Sequence, residues 1–134
     1  MLDRIDIHLE VIPVPFEKLS TAPPSESSAE IRQRVINARQ IQAIRFKDAE
    51  GVYCNAQMSS KMLRTYSQPD AAGAQILKTA MEKLGLSARA YDRILKVART
   101  IADLEASDNV LAHHLAEAIQ YRSLDRENWG EQKI

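Results

Sequence analysis

Ser87-Ala88-Arg89-Ala90-Tyr91-Asp92-Arg93-Ile94-Leu95-Lys96-Val97-Ala98-Arg99-Thr100-Ile101-Ala102-Asp103-Leu104-Glu105 reads as one amphipathic helix. Tyr91, Ile94, Leu95, Ala98, Ile101 and Ala102 recur at i, i+3, i+4 and i+7, which gathers them into a single apolar stripe. At about 100° per residue, Arg89, Arg93 and Lys96 fall on the opposite face, within roughly one sixth of a turn of one another. The helix is therefore both a core element and the carrier of a basic edge. Gly85 stops the segment before it and Ser87 offers an N-cap. Arg89 then sits in the first turn, where a cation opposes the helix dipole at a cost of about 0.3–1 kcal/mol when partly exposed. A residue placed against a local rule invites a functional reading; the plain alternative is that arginine is a good helix former.

Working outward, further helices surround this one. Ser27 and Glu30 form a capping box, and a helix follows to about Phe46 with Ile31, Val35, Ala38 and Ile41 on its inner face and Arg32, Arg34, Arg39 and Arg45 around the rest. Residues 47–57 form a loop around Gly51, and Met58 to Tyr66 a short helix. Gln68-Pro69-Asp70 begins another, with Ala72, Ile76, Leu77, Ala80, Met81 and Leu84 inward and Gly85 as its stop. Ser107-Asp108 is expected to cap a last helix containing Leu111, Leu115, Ala118 and Ile119. The front of the chain differs. Ile5, Ile7, Leu9 and Val11 alternate with Asp6, His8 and Glu10, the period of a strand, and Pro13 and Pro15 end it. No later segment offers it a convincing partner, and a strand alone leaves its backbone groups unpaired. Its sheet is expected to lie outside these 134 residues. The expected fold is mainly α, a small helical bundle over 29–122 preceded by that strand within 1–15, a polar, proline-bearing linker over 16–28, and a polar tail over 123–134 that holds the lone Trp129.

Composition narrows the function. Lysine and arginine total 18, as do aspartate and glutamate, so any contact with nucleic acid or membrane must come from a local patch. The single cysteine, Cys54, excludes an intramolecular disulfide and suits a reducing compartment. No stretch approaches the roughly 20 apolar residues of a membrane span, and Met1-Leu2-Asp3-Arg4 does not resemble a signal peptide, so a cytoplasmic location without membrane contact is expected.

Most catalytic constellations fail on spacing. None of Gly51, Gly73, Gly85 and Gly130 is followed by lysine, so the chain has no phosphate-binding loop of its own. His113 and His114 are adjacent and are expected to point to different sides of a helix, which leaves no metal centre; Cys54 has no CxxC partner. Two basic features stay open. The edge of Arg89, Arg93 and Lys96 is either a solvated surface or a phosphate contact. Arg4, within Asp3-Arg4-Ile5-Asp6, is either part of a solvated strand end or a guanidinium suited to the charge on a transferring phosphoryl group.

Blocks along the chain resemble the C-terminal end of the Mg-chelatase-like AAA+ ATPases of the competence-protein ComM (YifB) type. They are Leu2–Val11, Glu26-Ser27-Ser28, Asn55-Ala56-Gln57-Met58, Leu86-Ser87-Ala88-Arg89-Ala90-Tyr91, Val97–Leu104 and Ala118-Ile119-Gln120-Tyr121-Arg122. The resemblance covers Leu2 to about Arg126 in the right order. It implies that Leu2–Val11 is the last strand of an ATPase core carrying the Walker motifs, with ATP and Mg2+ held by that core and none by this chain alone. The helices would be the lid that follows the core. It further implies Arg4 as an arginine finger toward a neighbouring subunit's nucleotide and Arg89, in a Ser-x-Arg at a helix start, as the sensor-2 arginine. Arg93 would be a further phosphate contact. The expected partners are the chain's own AAA+ core, neighbouring subunits of a homo-hexamer, and DNA reached through the ring during ATP-driven branch migration in natural transformation. The competing expectation is a self-contained helical module that binds nucleic acid or docks on a protein; zero net charge and few aromatics count against single-strand binding by stacking.

Overall fold

Five α-helices are found among the described residues, which in this computed structural model are 4–11, 13, 15–16 and 25–122. The proposed tail and most of the proposed linker lie outside them. Each helix begins where a side chain can take up an orphan backbone donor. α1 (Ser28–Arg45) starts on the expected box: Ser27 Oγ accepts from Glu30 N at 3.2 Å and Glu30 Oε1 from Ser27 N at 3.0 Å. Ser59 caps α2 (Ser60–Tyr66), and Asp70 caps α3 (Ala71–Leu84) by accepting from Gly73 N at 2.7 Å. Gly85, at φ 60°, ends α3 in the left-handed conformation that suits glycine. Ser87 Oγ accepts from Ala90 N at 3.1 Å to open α4 (Ala88–Leu104).

The last helix starts later than expected. α5 (Ala112–Gln120) has Leu111 at its N-cap position, and His114 Nδ1 reaches back to accept from Leu111 N at 2.9 Å. Ser107 and Asp108 have another task, because their carbonyls accept from the Arg99 guanidinium at 2.6 and 3.1 Å. Val110, buried beside them, forms an isolated β-bridge with Pro69.

α4 is the central helix. It packs against α5, α1, α2 and the 3-10 turn Asn55–Gln57, while α3 packs on α5. Ala90, Ile94, Ala98 and Ala102 are fully buried along it, and Leu63, Leu77, Val110, Leu115 and Ala118 close the core around them. Each fully buried leucine or isoleucine contributes about 1.5–3 kcal/mol. Two departures from the stripe are informative. Tyr91, near the first turn of α4, is 38% exposed. Arg99 and Asp103, one turn apart beside the stripe, are almost wholly buried as an ion pair joined by Arg45 and Asn55.

The expected inner face of α1 is only half realised. Ala38 and Gln42 are buried, but Ile31 and Val35 are 44% and 43% exposed, and residues 28–37 have no buried member. Periodicity states which face would be covered; it does not supply the cover. The expected strand meets the same obstacle. Among the described residues no strand is present, since no second strand supplies a ladder, and Arg4 lies in a short 3-10 turn. The burial of 4–11 is also inverted: Ile5, Ile7, Leu9 and Val11 are exposed while His8 is buried. The backbone of this segment is held to the end of α5, with His8 N donating to Tyr121 O and the buried Arg122 donating to the Ile5 and Asp6 carbonyls.

Candidate functional site

The basic edge of α4 resolves into three different arginine and lysine environments. Arg89 is exposed in the first turn, directly after the Ser87 cap, and makes no hydrogen bond or ion pair among the described residues. Arg93 is committed: its Nη1 donates to Asp6 Oδ1, and its Nε is buried without an acceptor. Lys96 Nζ donates to Ala56 O at 3.1 Å. Of the three cations, Arg89 is the one with no partner among the described residues. Arg4 is likewise exposed, with no side-chain hydrogen bond among the described residues. The structure thus brings Arg93 to the segment that carries Arg4, by way of Asp6, and leaves Arg4 and Arg89 free.

An apolar groove of about 440 Å³ runs along the C-terminal half of α4, lined by Ile7, Leu9, Val97, Ile101, Leu104 and Tyr121. Lys96, Asp6 and Glu117 stand among these apolar walls.

The two histidines meet, contrary to the expectation from their adjacency. His113 Nε2 and His114 Nε2 each lie 2.9 Å from Glu105 Oε1, with ring centroids 4.0 Å apart. The carboxylate arrives from the C-cap of α4 across the first turn of α5, so both rings swing to one point. The three ligand-type atoms lie within 4.8 Å of one another. The hydrogen bonding assigns them a different role. His114 Nδ1 accepts from Leu111 N, so its proton sits on Nε2 and is donated to Glu105; that nitrogen has no lone pair to offer an ion. The two imidazoles hold the Glu105 carboxyl below the usual carboxylate range, His113 contributing most. The signal available in the sequence was the i, i+3 spacing of Leu111 and His114 at a helix start.

This helical bundle, with a cation at the start of its central helix, matches over residues 25–122 the family described as magnesium chelatase, subunit ChlI C-terminal, and the chain belongs to that family. It is 43% identical over 126 residues to the uncharacterized protein YifB of Escherichia coli, and 41% identical over 126 residues to competence protein ComM of Haemophilus influenzae. A YifB protein of Salmonella typhimurium is 40% identical over the same length. In each case the match covers 93% of this chain and 24% of the relative, so the chain spans about a quarter of the length of the curated relatives it matches. Among the described residues no helix is long and apolar enough to cross a membrane.

Proposed function

We propose that residues 29–122 are the lid of a AAA+ ATPase of the ComM type, working with an ATP- and Mg2+-holding core in the same polypeptide and with residues 1–15 joined to that core. What carries this reading is Arg89: an exposed, unpaired guanidinium held in a capped first turn, while the two cations beyond it are engaged. Arg89 serves as sensor 2. Its attraction to the γ-phosphate draws the bundle inward in the ATP state, and hydrolysis releases it. Arg4 acts as the arginine finger toward a neighbouring subunit's nucleotide in a homo-hexamer, a contribution of about 10³–10⁵-fold in rate in other systems. The work is cytoplasmic and is done on DNA, as ATP-driven branch migration; the Haemophilus relative is a competence protein, which supports a role in natural transformation.

The test is ATP turnover of the complete polypeptide. Arg89→Ala and Arg4→Ala should each remove most of it, with the thermal unfolding of this chain unchanged because both side chains are exposed. Wild-type turnover in either variant refutes that residue's role. This chain alone should hydrolyse no ATP.

A second reading rests on α1. From Ile31 to Phe46 it holds no acidic residue, and Arg32 and Arg39 are exposed on it two turns apart. A self-contained nucleic-acid or protein-docking module would use that face. Titration with single-stranded and branched DNA at two salt concentrations separates the readings: tight, salt-dependent binding by this chain alone favours the module.

A further inference from the structure

Arg93 stands one helical turn beyond Arg89 on α4, yet it faces a different group. Its Nη1 donates to Asp6 Oδ1 across 87 positions of sequence, and its Nε is buried without an acceptor, so the guanidinium is packed between α4 and the segment 4–8. Asp6 lies two residues after Arg4. The same segment is fastened twice more, by Arg122 Nη1 to the Ile5 and Asp6 carbonyls and by His8 N to Tyr121 O. Both of those ties use backbone atoms of the segment. The Arg93–Asp6 pair instead joins a side chain of the segment to the helix that carries Arg89.

From this geometry we infer that Arg93 is a positioning residue, which through Asp6 locks the segment bearing Arg4 to the helix bearing Arg89. The inference rests on the roles given above to Arg4 and Arg89. The Arg93–Asp6 clamp then sets where Arg4 stands relative to Arg89, so the lid of one subunit is held in register with the finger presented to the next. The role given to Arg93 is positioning, because its Nη1 is taken by Asp6 and its Nε is enclosed. Misplacing a reacting group by about 1 Å costs about 10²-fold in rate, which sets the scale of the expected effect.

In the complete ATPase, Asp6→Asn and Arg93→Gln should each lower kcat by about 10- to 10²-fold with KM for ATP unchanged, because nothing that touches nucleotide has been removed. Arg93→Lys, which keeps the charge on Asp6, and the exchange Asp6→Arg with Arg93→Asp should each restore most of the turnover. A raised KM in Arg93→Gln together with wild-type kcat in Asp6→Asn overturns the inference and makes Arg93 a phosphate ligand. Arg4→Ala and Arg89→Ala are run beside them. If those two retain wild-type turnover, the underlying reading fails. If they lose it while Asp6→Asn and Arg93→Gln do not, the clamp alone fails. On this chain, amide exchange at His8 should quicken in Asp6→Asn and Arg93→Gln with global unfolding unchanged; unaltered exchange rules the clamp out.

Discussion

Arg45 and Asp103, 58 positions apart in sequence, face each other fork to fork: Nη1 donates to Oδ2 at 2.9 Å and Nη2 to Oδ1 at 2.7 Å. Asp103 accepts two further bonds, from Asn55 Nδ2 at 2.9 Å and from Arg99 Nε at 3.2 Å. One buried carboxylate thus ties the last turn of α1, the 3-10 turn and the last turns of α4. Arg99 completes its own fork on the carbonyls of Tyr66, Ser107 and Asp108. Burial pushes its guanidinium below the ordinary value, and the Asp103 carboxylate pushes it back.

Removing the shared anion is the severe lesion. Asp103→Ala leaves Arg99 and Arg45 without their shared counter-charge and takes one of its two acceptors from Asn55 Nδ2, which keeps Thr100 Oγ1, and should cost about 3–5 kcal/mol. Arg45→Gln leaves the Arg99–Asp103 pair intact and should cost less, about 1–3 kcal/mol. Urea unfolding of both variants measures the difference; equal losses would mean that Asp103 is not the hub.

Much of this was legible, and the residues say why. Ser27, Asp70, Gly85 and Ser87 act through neighbours three or four positions away, so local spacing was enough to place four helix ends. Arg99 was not singled out, because its partners lie on Tyr66, Ser107 and Asp108, and a solvated face looks the same along the chain as a buried pair. The hint was an Arg99–Asp103 spacing of i, i+4 at the margin of the apolar stripe. Ile31 and Val35 misled for the opposite reason: their periodicity is sound, but nothing among the described residues covers them. The period-two pattern of 5–11 likewise has no second strand beside it among the described residues. For the site, helical phase singled out Arg89, whereas Arg93 needed Asp6 in three dimensions before its environment could be read.

Glu105 gives a pH signature. Its carboxyl is lowered first by the hydrogen bond from His113 and then by that from His114. A depressed folded-state pKa contributes stability that is present above the unfolded value and lost as pH falls through the folded one. Glu105→Gln should therefore lower Tm at pH 7, by a small amount because the carboxylate is half exposed, and the gap to wild type should close as pH falls through the lowered pKa of that carboxyl. A gap that stays equal over that fall would place the effect elsewhere.

Ala106 is a non-glycine residue at φ 57°, in the left-handed region. It stands just past the C-cap of α4, with Ser107 N bonded to Ala102 O at 2.8 Å and Ala106 N to Asp103 O at 3.0 Å, the paired bonds of a Schellman ending. Alanine there carries a steric cost of about 1–2 kcal/mol that glycine avoids, partly offset by glycine's larger unfolded-state entropy. Ala106→Gly should thus stabilise the chain by about 0.5–1 kcal/mol, seen as a raised urea midpoint with unchanged m. A lowered midpoint would contradict it.

Gly73 predicts the reverse sign for the opposite exchange. It lies in the first turn of α3, where a β-carbon would come 2.6 Å from Leu115 Cδ1, 2.9 Å from Asp70 Oδ1 and 3.2 Å from Pro69 Cβ. Leu115 is fully buried in the α3–α5 contact and cannot swing aside, and Asp70 is needed where it is to cap Gly73 N. The usual gain in helix propensity from glycine to alanine, about 1 kcal/mol, is therefore outweighed. Overpacking of about 1–3 kcal/mol should dominate and leave Gly73→Ala less stable than wild type. Adding Leu115→Ala to Gly73→Ala separates the causes. If the clash is the reason, the double variant loses less than the two single losses added together; strict additivity would assign the cost to the Asp70 cap instead.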